Sequence, residues 1–162
     1  MKIDAFNHLF PKPYFDRMLT LGANWKDMAR RVRVIPCIVD LDARFRIMDE
    51  FGPDYRQIVS LAAPPVEDFG ADAAEMAALA NDSFAALCAQ HPERFFGFVA
   101  ALPMNDPAAM LREAERAHIV RILDACSWNK KEAARILEIS RGTLYRKILE
   151  FVDTFVPQAK PA

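Results

Sequence analysis

The residues best suited to chemistry lie near the end of the chain, in "SWNKKEAARILEISRGTLYRKILEF", residues 127 to 151. Leu144, Ile148 and Phe151 recur at helical spacing. That periodicity puts them on an inner face and leaves Arg141, Thr143, Arg146 and Lys147 outside, with Tyr145 at the edge. The chemistry on offer is recognition rather than bond-making. An arginine at the start of such a helix can bind guanine O6 and N7 together in a major groove, and hydroxyl and basic side chains can hold phosphates. Asn129, Lys130 and Lys131 open the preceding helical pattern and are placed to hold backbone phosphates, helped by the helix dipole.

Two short helices must position these groups. Asn129 is an N-cap type with Glu132 three residues on, a capping-box pattern in which each side chain satisfies an otherwise unpaired helix N–H. Ala133, Ala134 and Leu137 point inward, and the small alanines allow another helix to cross closely. "LEIS" supplies a tight turn, and Ser140 is a good N-cap for "RGTLYRKILEF". Two helices joined by so short a turn predict a helix-turn-helix. Upstream, "AAMLREAERA" continues without a breaker through "HIVRILDAC", so a long helix with Ile119, Ile122, Leu123 and Cys126 on one stripe should enter this module. Charge agrees: residues 118 to 151 hold Arg121, Lys130, Lys131, Arg135, Arg141, Arg146 and Lys147 against Asp124, Glu132, Glu138 and Glu150. The module is basic and the remainder acidic, although the whole chain balances 21 Lys+Arg against 22 Asp+Glu.

"WNKKEAARILEISRGTLYRKILEF", with "EAERAHIVRILDAC" before it, resembles the Fis-type helix-turn-helix at the C-terminus of sigma-54-dependent response regulators of the NtrC class. The resemblance covers about residues 112 to 151. It implies binding of double-stranded DNA as a homodimer through the long helix, on an inverted-repeat site. By position it makes Arg141, Thr143, Tyr145 and Arg146 the groove and phosphate contacts, with Ser140 beside them. Glu138 departs from the pattern, since the family usually has glycine in the turn. If Glu138 takes a positive φ, the turn should be weakened by about 1 kcal/mol.

The first half of the chain reads differently. "KIDAF" predicts a buried strand ending at Asn7 and His8, and "PKPYFDRMLTLG" a helix started by proline and stopped by Gly22. "LDARFRIMDEFG" predicts a helix with Leu41, Phe45, Met48 and Phe51 on one face, and "YRQIVSLAA" a strand stopped by Pro64 and Pro65. Residues 71 to 90 are rich in helix formers, and "RFFGFVAALP" predicts a third buried strand. Strand and helix in alternation predict parallel βαβ units.

"IDAFNHLFP" puts polar groups at the C-terminal end of a first strand, where a TIM-barrel active site begins. It resembles the start of the amidohydrolase-related family, the metal-dependent hydrolases and decarboxylases of the aminocarboxymuconate-semialdehyde and resorcylate decarboxylase type, through about residue 117. That family usually opens with aspartate and an H-x-H pair. Here Asp4 is followed by Phe6 where the first histidine would stand, leaving His8 as the candidate metal ligand. His91, before Pro92, and His118, within a helix, do not complete a ligand set, and a catalytic zinc needs about three protein ligands.

The fold expected is therefore α/β over residues 1 to 111, about three βα units of a partial TIM barrel, then an all-α helix-turn-helix over 112 to 151 and a flexible tail over 152 to 162. "LREAERA" suits either part, so one helix can serve both halves of the fusion. The function expected is sequence-specific DNA binding in transcriptional regulation, with no catalytic residues and no cofactor. No activating ATPase domain is seen, which leaves repression or an architectural role. The alternative is a metal-dependent hydrolase or decarboxylase completed by a second chain, with a divalent metal such as zinc. Cys37, Cys88 and Cys126 are widely spaced, odd in number and form no CxxC pair, which fits a reduced setting. With no signal segment and no long apolar run, no membrane partner and a cytoplasmic location are expected.

Overall fold

The computed structural model of the chain describes residues 1–21, 25, 30, 32 and 34–151. The helix stop at Gly22 and the tail from residue 152 fall outside them. The chain divides into two compact units, Met1–Glu113 and Ala114–Ala162.

The first unit is a three-stranded parallel sheet with helices between its strands, as the alternation of patterns predicts. Strands β1 (Lys2–His8), β2 (Tyr55–Ser60) and β3 (Phe95–Phe98) lie in the order β1-β2-β3. Lys2 is paired with Tyr55 and His8 with Ser60, while Gln57 is paired with Phe95. The register of β1 shifts between Asp4 and Asn7. Local polar bonds account for the irregularity: the Asp4 carboxylate accepts the Phe6 amide at 3.0 Å, and the Asn7 side-chain amide donates to the Asp4 carbonyl at 3.0 Å. Such bonds compete with the ladder for the same backbone groups.

Among the described residues of this unit lie helices α1 (Lys12–Thr20), α2 (Leu41–Asp49) and α3 (Ala73–Gln90), with short 3-10 turns at Pro36–Ile38 and Val66–Asp72. Proline starts α1 as expected: Pro11 stands at its N-cap and Pro13 in its first turn, where fixed φ suits a helix and the missing N–H costs nothing. Tyr14 and Met18, one turn apart, are buried against Met76, Ala77 and Ala80 of α3. Asp40 caps α2 by accepting the amides of Asp42 at 2.9 Å and Ala43 at 3.1 Å. Phe84 of α3 closes a second cluster with Val59 and Phe95 on the sheet and Leu9 just beyond β1. Burying each of these large side chains contributes about 2 kcal/mol.

Three expectations change here. The first strand is not buried: β1 is an edge strand, with Ile3 40% and Phe6 85% exposed. The third strand, at the other edge, is buried at Phe95 and exposed at Phe96, because successive side chains point to opposite faces of the sheet. Phe51 does not share the face of Leu41, Phe45 and Met48. It falls beyond the end of α2, is half exposed, and stacks on Tyr55 with ring centroids 4.8 Å apart.

The sequence pattern also concealed a buried cation. Arg44 of α2 is 5% exposed, and its guanidinium donates to the Cys37 carbonyl at 2.9 Å, to Gln57 Oε1 at 2.6 Å and to the His8 carbonyl. Burial pushes its pKa down, partly opposed by the Cys37, Tyr55 and Asp4 side chains nearby. Giving each guanidinium nitrogen an acceptor this way is what makes a buried guanidinium tolerable.

Helix α4 (Pro107–Ala125) runs unbroken over the segment expected to be one long helix. Asp106 accepts the Ala109 amide at 3.0 Å and so caps its start. Two further helices follow, α5 (Lys130–Ile136) and α6 (Arg141–Glu150). The core of the second unit joins Ile119 and Leu123 of α4, Ala133 and Ala134 of α5, and Leu144 and Phe151, with Ile122, Cys126, Leu137, Ile139 and Ile148 around them. No helix among the described residues is long and apolar enough to cross a membrane.

Candidate nucleic-acid interface

From the end of α4 to the start of α6, each helix end is closed by a local device. Helix α4 stops in a Schellman arrangement: the Trp128 amide donates to the Leu123 carbonyl at 2.7 Å and the Ser127 amide to Asp124 at 2.9 Å. Ser127 and Trp128 both take positive φ, 49° and 61°. The indole N–H of Trp128 donates to Asp124 at 2.8 Å, and the ring is 44% exposed.

Asn129 caps α5 as expected, its side chain accepting the Glu132 amide at 3.2 Å. The reciprocal half of the capping box does not form. The Asn129 amide already donates to the Cys126 carbonyl at 3.0 Å, and the Glu132 carboxylate turns instead to Arg135, 2.6 Å away. That hydrogen bond holds the Glu132 carboxyl below its ordinary range and the Arg135 guanidinium above its own. Arg135 is thereby neutralised within its own helix.

The turn repeats the Schellman geometry, with the Ile139 amide on the Ala134 carbonyl at 3.1 Å and the Glu138 amide on Arg135 at 3.2 Å. Glu138 takes φ 55°, the left-handed conformation in which the family's glycine is comfortable and glutamate is not. Ser140 then caps α6, accepting the Thr143 amide at 3.0 Å, and its hydroxyl lies 2.8 Å from the Thr143 hydroxyl.

This architecture places the sequence-predicted residues as follows. Arg141 is exposed at the first position of α6 and makes no ion pair among the described residues. Lys131 and Arg146 are exposed, Arg146 only 4.0 Å from Glu150. Thr143 is half-buried, and Tyr145 is 48% exposed with the Lys130 ammonium 4.9 Å from its ring centroid. Lys147 is a correction: it is not left outside, for its ammonium pairs with Glu115 of α4 at 2.5 Å and its side chain is only 21% exposed. Sequence reasoning missed Glu115, because nothing local connects it with Lys147. It also passed over Trp128, although a Ser-Trp-Asn sequence between two helical patterns was a usable signal.

In the first unit His8 is exposed, its Nδ1 3.0 Å from the Ser60 hydroxyl and its ring edge-on to Phe6. Asp4 accepts the Tyr55 hydroxyl at 2.7 Å. His91 packs edge-on against Phe45, and His118 Nδ1 faces Arg121 at 3.0 Å. Among the described residues no group of three or more His, Cys, Asp or Glu side chains converges as a metal centre would. The residues described do not fit a divalent metal by themselves.

Residues 110–151 match the family model described as "Bacterial regulatory protein, Fis family". The C-terminal module is a Fis-type, DNA-binding helix-turn-helix. The N-terminal part is homologous to gamma-resorcylate decarboxylases, amidohydrolase-related TIM-barrel proteins: it is 39% identical over 97 residues to the one from Rhizobium radiobacter, covering 59% of this chain and 28% of that protein. It is 42% identical over 95 residues to the one from a Polaromonas species, covering 57% of this chain and 27% of that protein. The solved 2,6-dihydroxybenzoate decarboxylase from Rhizobium superposes with a TM-score of 0.50 at 34% identity, over 71% of this chain and 34% of that one. The chain thus spans about 28% of the length of the curated relatives it matches. The fusion expected from the sequence, a barrel-type α/β segment followed by a Fis-type module, is what these similarities show.

Proposed function

We propose that the chain binds DNA sequence-specifically as a homodimer and acts in transcriptional regulation. The observation that carries this reading is the exposed start of α6, where the Ser140 cap presents Arg141 without an acidic partner among the described residues. In this reading Arg141 reads a base in the major groove, Thr143 and Arg146 hold α6 against phosphates, and Lys130 and Lys131 add salt-sensitive affinity. Lys147, neutralised by Glu115, contributes little charge. The test is a salt titration on a selected inverted-repeat DNA and on random DNA, comparing the intact chain with Arg141→Ala. A loss of roughly 10- to 100-fold on the selected site, with little change on random DNA, supports it. Equal losses on both would remove Arg141 from its role, and no binding by the intact chain at low salt would end the reading.

A second reading rests on the decarboxylase homology. It makes the first unit part of a metal-dependent decarboxylase or hydrolase, with His8 and Asp4 at the end of β1. The described residues do not complete a metal centre, so this reading needs ligands from outside them, as a second chain would supply. A stoichiometric divalent metal in purified protein, lost in His8→Ala, supports it. Metal-free protein that binds DNA does not.

A further inference from the structure

Lys130 and Tyr145 belong to different helices of the module, yet they meet on its exposed side. Lys130 is the first residue of α5, is half-buried, and holds its ammonium 4.9 Å from the centroid of the Tyr145 ring. Among the described residues neither makes an ion pair. The acids on these two helices lie elsewhere: Glu132 is bound to Arg135, Glu150 faces Arg146, and Glu138 is exposed in the turn. The ring face attracts the ammonium electrostatically. A free lysine is rotamer-rich and loses that freedom when it binds a phosphate. A lysine already confined above a ring has less to lose.

Resting on the DNA-binding reading above, we propose that Tyr145 is a positioning residue for Lys130, its ring holding the ammonium in place for a backbone phosphate. The ring does this and the hydroxyl does not. Tyr145→Phe therefore keeps the effect, and Tyr145→Leu abolishes it. Lys130→Met removes the charge while keeping much of the apolar stem.

The experiment is a double-mutant cycle on the intact chain, with DNA affinity measured across salt concentrations and circular dichroism confirming that each variant folds. Lys130→Met is expected to lower the salt dependence by about one unit of log–log slope. Tyr145→Leu is expected to weaken binding roughly two- to fivefold in the wild-type background and not at all in the Lys130→Met background. Tyr145→Phe should bind like the wild type. Equal losses from Tyr145→Leu in both backgrounds, or a Tyr145→Phe defect as large as that of Tyr145→Leu, would overturn the proposal and leave the DNA-binding reading standing. Failure of the wild type to bind at low salt would overturn both. Proton NMR reads the pair without DNA: the Lys130 ε-methylene should be shifted upfield by the ring in wild type and Tyr145→Phe, and not in Tyr145→Leu. An unshifted wild-type signal also overturns it.

Discussion

Glu138 and Gly142 stand four residues apart in the helix-turn-helix with their backbone needs exchanged. Glu138 is held at φ 55°, and Gly142 lies within regular helix α6. The left-handed position is closed by the Ile139–Ala134 hydrogen bond, so Glu138 cannot leave it without opening the turn. A Cβ added at Gly142 would meet only the Ser140 hydroxyl oxygen, at 3.8 Å, an ordinary contact.

Two stabilising substitutions are expected from that exchange. Glu138→Gly relieves the left-handed strain, and Gly142→Ala restricts the unfolded chain, each by about 0.5 to 1 kcal/mol. The two sites act on different terms, so their effects should add. Thermal unfolding of the two single variants and the double variant checks this. A Glu138→Gly variant less stable than wild type would mean that the turn is not under strain.

Lys147 shows how tertiary pairing redistributes charge. Its ammonium is joined to Glu115 at 2.5 Å, with both side chains partly in solvent. Such a pair contributes about 0.5 kcal/mol to stability, screened by salt. Glu115→Gln should cost that much and also leave Lys147 without its neutralising partner. If DNA lies against this side of α6, the log–log salt slope for binding should steepen by about one. An unchanged slope with an unchanged melting temperature would show that the pair does not form in solution.

What could be read from the sequence depended on how far each signal reaches along the chain. The caps at Asn129 and Ser140, the proline start of α1 and the order of strands and helices are local or periodic, and all were visible in the residues themselves. The Lys147–Glu115 pair, the burial of Arg44 against Gln57 and the His8 carbonyl, and the Glu132–Arg135 bond that displaces half of the capping box were not. Each depends on which partner the fold brings nearest. The exposure of β1 was misread for a related reason: an apolar run looks the same in a central strand as in one at a sheet edge.

Asp4 offers a test of the strand end that the family resemblance singled out. Its carboxyl is held below the ordinary carboxylate range, first by the Tyr55 hydroxyl at 2.7 Å and next by the Phe6 amide, against the opposing effect of burial. A carboxyl with a lowered folded-state pKa binds protons less readily folded than unfolded. Its stabilising contribution is therefore present above the ordinary carboxylate range and is lost as pH falls through the lowered value. Tyr55→Phe removes the largest cause while keeping a ring to stack on Phe51. As pH falls below the ordinary carboxylate range the wild type should lose stability more steeply than Tyr55→Phe, and the two should differ most near neutrality. The Tyr55 hydroxyl, itself pushed up by burial, by its bond to Asp4 and by the Asp4 charge, titrates far above this window and does not interfere. Urea unfolding of both proteins at a series of acidic pH values measures the difference. Parallel curves would mean that the Tyr55–Asp4 bond does not hold the carboxylate.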